Sequence, residues 1–372
     1  MPLRQTALNQ LHHAAGGRMV DFAGWEMPIQ YHSIVQEHQI VRQSAGLFDV
    51  GHMGEITVRG PGSIQLLEYI TCNQIGNLEA GQVRYNALML ANGGLVDDIL
   101  VYRLDAEDFF LCVNASNTTA AFEHLLTHKQ TLQCQCTVSN ESNDWQQIAI
   151  QGPRAAHILQ KSLDLDFGSL RYFRFQDLEW HGQPIRLSRT GYTGEDGFEI
   201  YTDAASAVRL WTTILAQNSA EEIRPIGLGA RDSLRLEARL PLYGHELSRS
   251  MTPLESDIAF IVKEKPQIDW LGKSICMQQK QDGTPGRVCG FQMQGPGVPR
   301  HDMEIVDSSE QSVARVLSGV YSPILKKGIG TCYLPAGYLE ESTGLKIQVR
   351  DKSIPIEIQQ GPFVTIRAGN QA

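Results

Sequence analysis

The chain has 372 residues, 42% hydrophobic and 20% charged, the composition of an ordinary globular protein of two or three domains at ~150 residues each. Its 41 Asp and Glu exceed its 32 Lys and Arg, and the net charge of −9 excludes a protein built to grip a phosphate backbone. Thirty-four Gly and 16 Pro are close to average usage, which excludes collagen-like and low-complexity chains.

Residues 1–15 carry no apolar core of signal-peptide length and no Arg- and Ser-rich presequence, and no apolar run approaches the ~20 residues of a membrane span. The seven cysteines lie mostly in apolar runs, such as Phe110-Leu111-Cys112-Val113, as reduced and buried thiols do. A cytoplasmic protein is expected.

Residues 54–58 alternate as a short strand, and Gly60-Pro61-Gly62 breaks it. Ser63 then caps a helix with Ile64, Leu67 and Ile70 on one stripe. Residues 85–90 and 95–102 form a hairpin about Ala91-Asn92-Gly93-Gly94, and 109–113 adds a third strand, completing an α+β unit near 52–140. The polar stretch 139–144 reads as an exit loop. A strand at 147–150 precedes a helix opened by Gly152-Pro153 and running through Leu159. Strand, Gly-rich turn and strand fill 185–201, and helices are expected over 204–217 and 231–240. Residues 278–286 are polar and turn-rich, the best linker in the chain. Beyond it the runs 288–293, 303–306, 314–320, 329–334, 345–349 and 354–358 predict a small all-β barrel or sandwich.

No G-x-x-x-x-G-K-[ST] loop, H-E-x-x-H or paired C-x-x-C occurs. Gly227-x-Gly229, Gly295-x-Gly297 and Gly328-x-Gly330 all lack the third glycine of a dinucleotide loop. Neither a metal nor a nucleotide is expected.

Three segments stand out against this background. Asp97-Asp98 lies in an otherwise apolar strand, where alternation sends the two carboxylates to opposite faces, so at least one needs partners or a shifted pKa. Pattern alone does not choose between them. The segment 188–200, Ser-Arg-Thr-Gly-Tyr-Thr-Gly-Glu-Asp-Gly-Phe-Glu-Ile, places three glycines before Glu199, as close backbone approach or positive φ requires. Arg231 and Arg235 share one helix face and repel unless anions sit nearby. For the last two segments an ordinary hairpin and a solvated helix face are the simpler readings. Trp25, Met27 and Met53 lie in turns and read first as plugs of the core. His52 and the His12-His13 pair have no metal-ligand companions and read as structural or exposed.

Eight fragments in order over about three hundred residues resemble the tetrahydrofolate-dependent aminomethyltransferases, the T-proteins of the glycine cleavage system. They are Phe22-Ala23-Gly24-Trp25-Glu26-Met27-Pro28, Phe48 to Glu55, Gly93 to Asp98, Val113 to Asn117, Gln151-Gly152-Pro153, Ser188 to Glu199, Gly227 to Glu237 with Leu242 to His245, and Ser318 to Pro323. The resemblance implies an α+β fold of three lobes: 1–51 with 141–277, 52–140 carrying Asp98, and a C-terminal β-barrel over 278–372. It also implies transfer of the methylene carbon from the aminomethyl-dihydrolipoyl arm of H-protein to tetrahydrofolate, with release of ammonia. H-protein and tetrahydrofolate are then the partners, with no metal, nucleotide, nucleic acid or membrane.

By the same resemblance Asp98 is the catalytic carboxylate, Glu199 accepts the pterin's adjacent N–H donors, and Arg231 contacts the folate. Tyr192, Tyr85, Asn114 and Met53 line the pocket, and Arg300 and Arg367 are candidates for the acidic tail. Gly51 stands where many relatives have Ser, Phe260 where some have Trp, and the tail diverges after Phe363. A folate-binding iron–sulfur assembly protein of the same fold is the alternative, but the chain lacks that branch's Lys-Gly-Cys-Tyr segment. A dimethylglycine or sarcosine oxidase would need a flavin domain, for which 372 residues leave no room.

Overall fold

The computed structural model describes residues 2–340, 344–350 and 352–369. Two sheets dominate the first three quarters of the chain. One has six strands in the order Phe175–Trp180, Gln183–Ser188, Gly197–Thr202, Gln146–Gln151, Ala45–Asp49 and Ile223–Pro225, antiparallel except for the last pair. The other has five antiparallel strands in the order Val83–Met89, Leu95–Asp105, Asp108–Val113, Gly54–Arg59 and Thr137–Asn140. Alternation gives each sheet two apolar faces, and each covers one with helices. Helices Ala155–Leu163 and Ala204–Ala216 pack on the first, around Ile148, Ile150, Phe198 and Ile200. Ser63–Ile70 and Thr118–Leu132 pack on the second, around Ile56, Val58, Val101 and Leu111.

The uncovered faces turn toward each other. Tyr102, Phe110 and Cys112 of the five-stranded sheet meet Phe175 and Tyr201 of the six-stranded one in a single buried cluster. The Tyr102 and Tyr201 hydroxyls hydrogen-bond at 2.9 Å, and the Tyr102 ring stands edge-on to Phe110, Phe175 and Tyr201. Arg186, bridged to Asp177 at 2.7 Å, lays its guanidinium over Phe110 at 4.8 Å. The C-terminal region is a closed six-stranded barrel, Gly286–Met293, Lys327–Pro335, Ser312–Ser322, Glu304–Val306, Lys346–Val349 and Lys352–Gln359. Trp25 and Met27 are buried, but on the strand Trp25–Gln30, paired with Arg18–Phe22, rather than in a turn; all seven cysteines are buried and unpaired.

Several elements differ from the sequence reading. Ser63 is inside its helix rather than capping it: Gly62 is the N-cap, and the Ser63 hydroxyl bonds Glu107 O at 3.2 Å. Ser139 and Asn140 are not loop but the end of an edge strand pairing with Gly54–Arg59. The expected 231–240 helix is Leu228–Glu237, because Gly227, in an extended conformation, is its N-cap. Residues 278–282 are not linker; they end the helix Lys273–Asp282, which stops at Gly283 with φ 88°. Gln and Lys favour helix, but with only Cys276 buried the segment carries no apolar stripe to betray it. Leu247, Ile258, Ile261 and Trp270, assigned by sequence to the first lobe, pack instead on Cys72, Ala87, Met89 and Leu95 of the second.

The helix Leu228–Glu237 lies where all parts meet. Glu237, fully buried, accepts from Arg42 at 3.0 Å, lies 3.0 Å from His38 Nε2, and accepts from Ser322 of the barrel at 2.5 Å. Arg235, also buried, pairs with Glu246 at 3.0 Å and donates to Ser318 at 2.7 Å. Glu237→Ala, which leaves the buried Arg42 with Glu195 alone and takes the acceptor from Ser322, is expected to destabilise the protein by about 2–4 kcal/mol. Urea unfolding measures it, and a loss below about 1 kcal/mol would remove Glu237 from this role.

Candidate functional site

The Asp pair sits near the start of Leu95–Asp105. Asp97 faces the helix-covered side and is fully buried, while Asp98 shares its face with Leu100 and Tyr102 and is half-buried. Asp97 accepts from the Asn114 backbone N–H at 2.8 Å, from Asn114 Nδ2 at 2.8 Å and from Asn117 Nδ2 at 2.6 Å. These bonds make it a structural anchor. Asp98 accepts from the Tyr85 hydroxyl at 3.0 Å and from Asn114 Nδ2 at 2.9 Å. One amide group therefore bridges both carboxyls. Burial pushes Asp98 up to about 6, against the Tyr85 and Asn114 hydrogen bonds and the Arg231 charge. Burial and the Asp98 charge push Asp97 well up too, opposed by Asn117 and Asn114.

Glu199 comes from the facing sheet, on the same strand face as Tyr201. Its oxygens accept from Gln147 Nε2 at 2.8 Å and from the Thr190 hydroxyl. A carboxylate offers about four lone-pair sites, so two remain for a ligand. Burial raises its pKa, with Thr190, Arg231 and Gln147 opposing. The glycines before it answer to Gln151, which donates to Thr190 O at 3.0 Å and accepts from Thr193 Oγ1 at 3.0 Å. A Cβ on Gly191 or Gly197 would collide with the Gln151 side chain. The turn closes on that amide and so fixes Thr190 and Glu199.

Arg231 lies close enough for its charge to act on both acids. Its guanidinium lies over the Tyr192 ring at 4.5 Å, and Tyr192 donates its hydroxyl to Pro241 O. Its charge bears on Asp98, Glu199 and His52, yet it forms no ion pair among the described residues. Arg235 differs: it is buried, and Asp232 and Glu246 pair with it. A cleft of about 590 Å³, counted to its open mouth, is lined by His52, Met53, Asn114, Arg231, Tyr243 and His245 among others. Tyr85 stacks on Phe260, 64% exposed, at 6.2 Å. No group of three or more His, Cys, Asp or Glu arranged to hold a metal occurs among the described residues.

Residues 8–266 match the GCVT N-terminal domain family, and 287–365 match the glycine cleavage T-protein C-terminal barrel domain. The chain belongs to the glycine cleavage T-protein family. An aminomethyltransferase of Leptospira interrogans is 44% identical over 363 residues, 97% of each chain. One from Bacillus cereus is 42% identical over 362 residues, 97% of this chain and 98% of that one. The crystal structure of the glycine cleavage system aminomethyltransferase T from Bartonella henselae superposes with a TM-score of 0.92 at 30% identity, covering 99% of this chain and all of that one. These relatives support the aminomethyltransferase activity, and none favours the iron–sulfur alternative.

Set against the T-protein expectations, Asp98, Tyr85, Asn114, Met53, Arg231, Tyr192 and Glu199 come together at the junction of the two sheets and the Leu228–Glu237 helix. Arg367 does not join them. It pairs with Glu195 at 3.3 Å in a separate cavity lined by Arg42, Leu325 and Phe363. Arg300 is exposed on the barrel, next to His301, whose ring packs on His245 of the cleft. Of the histidines read as structural or exposed, His12 is structural, buried against Asp49 at 2.7 Å, whereas His52 is buried and also lines the cleft. Sequence reasoning missed Gln147, Thr190, Tyr243 and His245; the last three lie within the matching fragments. With Asp98 acting ionised, kcat/KM is expected to fall about tenfold per pH unit below about 6 and to level above it. Asn114→Ala removes a bond that favours the charged form, so the inflection moves upward. A pH–rate profile that keeps its inflection in Asn114→Ala would detach that inflection from Asp98.

Proposed function

We propose that the cleft binds tetrahydrofolate, with Asp98 beside the arriving one-carbon group, and admits the aminomethyl-loaded lipoyl arm of H-protein. The observation that carries this reading is the approach of two half-buried carboxyls, Asp98 and Glu199, from facing sheets to one cation, Arg231, that has no ion pair among the described residues. When bound, tetrahydrofolate supplies the nitrogens that accept the methylene carbon. The rest is the work of the protein's own residues.

Glu199, held by Gln147 and Thr190, presents its free lone pairs to the adjacent N–H donors of a pterin, a bidentate match. Arg231, with no carboxylate partner among the described residues, meets the anionic part of the ligand; Arg300 on the barrel extends that positive edge. Tyr192, Tyr85 and Met53 give apolar walls. Asp98, fixed by Tyr85 and Asn114, stabilises developing positive charge and holds a proton within reach of its pKa near 6. Seven buried, unpaired thiols support a reducing compartment such as the cytoplasm.

Asp98→Asn is expected to retain folate binding while turnover with aminomethyl-loaded H-protein falls by about 10²–10⁴-fold. Near-normal formation of methylenetetrahydrofolate would overturn the assigned role. Glu199→Ala should weaken folate by about 10–100-fold, the worth of hydrogen bonds to a charged group. An unchanged dissociation constant by calorimetry would take Glu199 out of the pocket.

A further inference from the structure

His52 lines the cleft, and the roles assigned so far leave it without a task. It lies in the turn joining strands Ala45–Asp49 and Gly54–Arg59, beside Asn114 and Arg231. The residue is 2% exposed, and its ring stands edge-on to Phe22 at 5.3 Å. Nδ1 is buried with no hydrogen-bond partner among the described residues. An unmet buried polar atom is destabilising, and a ring needed only for its shape would serve better as Phe. The turn is also held rigidly from behind. Asp49 Oδ1 accepts from the Gly51 N–H at 2.8 Å, and Oδ2 accepts from the Thr6 hydroxyl at 2.6 Å and bonds His12 Nε2 at 2.7 Å. His52 is therefore a polar group fixed in place before any ligand arrives.

Burial, reinforced by the Arg231 charge, lowers His52 to about 4, so the ring is a neutral imidazole at neutral pH. A neutral imidazole offers one N–H donor and one acceptor. An anionic group of the ligand would be drawn to Arg231, and a cation would be repelled by it. A neutral amine, which both donates and accepts, complements the ring in either tautomer. The geometry points to His52 as the residue that holds the neutral amine nitrogen leaving the aminomethyl group, across the cleft wall from the Asn114–Asp98 pair. His52 forms no covalent bond; it exchanges a hydrogen bond with ammonia and keeps it from the guanidinium. This role rests on the reading of the cleft as the tetrahydrofolate and aminomethyl site.

The test runs the full-length enzyme in reverse, with ammonium chloride, methylenetetrahydrofolate and dihydrolipoyl H-protein. His52→Phe keeps the ring packing and removes the hydrogen bond. The KM for ammonium is expected to rise about tenfold or more, with the dissociation constant for folate within about twofold. His52→Gln, which restores a donor and an acceptor, should recover most of the loss. An unchanged ammonium KM overturns the proposal, as does a rise in the folate constant with or without a change for ammonium, since His52 would then be a folate contact or a general support. Should His52→Phe fail to fold, the ¹⁵N shifts of the His52 ring in the wild-type folate complex decide: movement on titration with ammonium chloride supports the contact, and none overturns it. A wild-type protein that binds no folate would instead sink the underlying site assignment.

Discussion

The buried carboxylate of Glu237 is the constraint on which the arrangement depends. One oxygen takes Arg42 and faces His38, both from helix Ile34–Gln43, and the other takes Ser322 of the barrel. A buried charge is tolerated only with such partners, and they come from two distant parts of the chain. The helix ending at Glu237 is thereby fixed in rotation as well as position. Two turns earlier it carries Arg231, and between them Arg235 binds Glu246 and Ser318. The barrel thus reaches the chemistry indirectly, by holding the helix that aims the cation.

The remaining charge in the cleft follows from what that helix leaves unpaired. Arg42 and Arg235 are consumed by buried carboxylates, whereas Arg231 has an aromatic ring and an electrostatic view of Asp98 and Glu199. Burial makes both acids weaker, and the Asn114 amide and the Gln147–Thr190 pair moderate the effect. Donors and acceptors are therefore oriented before a ligand enters, which is how a site avoids reorganisation at the moment of reaction. The Tyr102–Tyr201 contact sets the spacing of the two sheets and so of the two acids.

The parts of this site legible in the sequence were those where chemistry left a mark on a local pattern. An acidic pair in an apolar strand, glycines packed before a glutamate, and two arginines on one helix face are all visible without coordinates. Asp98 is preferred to Asp97 only through family resemblance; in the structure Asp97 accepts from three N–H donors, and Asp98 from Tyr85 and Asn114. His52 left no mark, because a single histidine beside a methionine looks the same in a core as in a cleft. Arg367 misled for a related reason: its partner Glu195 is distant in sequence, so its commitment to an ion pair was invisible. Residues 278–282, the end of the helix Lys273–Asp282, read as linker because helix propensity without an apolar stripe resembles a polar loop.

By itself, the sequence determined the strand-rich late region, the Asp98 hairpin, the helices after Ser63, after Gly152-Pro153 and over 204–217, and the absence of phosphate-loop and paired-thiol motifs. These follow from periodicity and turn chemistry, which act over a few residues. Only the tertiary structure decided which faces of the two sheets meet, that residues of segment 247–276 pack on the five-stranded sheet, and that the barrel is tied to the helix Leu228–Glu237. Those outcomes depend on burying particular charges with partners up to a few hundred residues away, a condition that no local window contains.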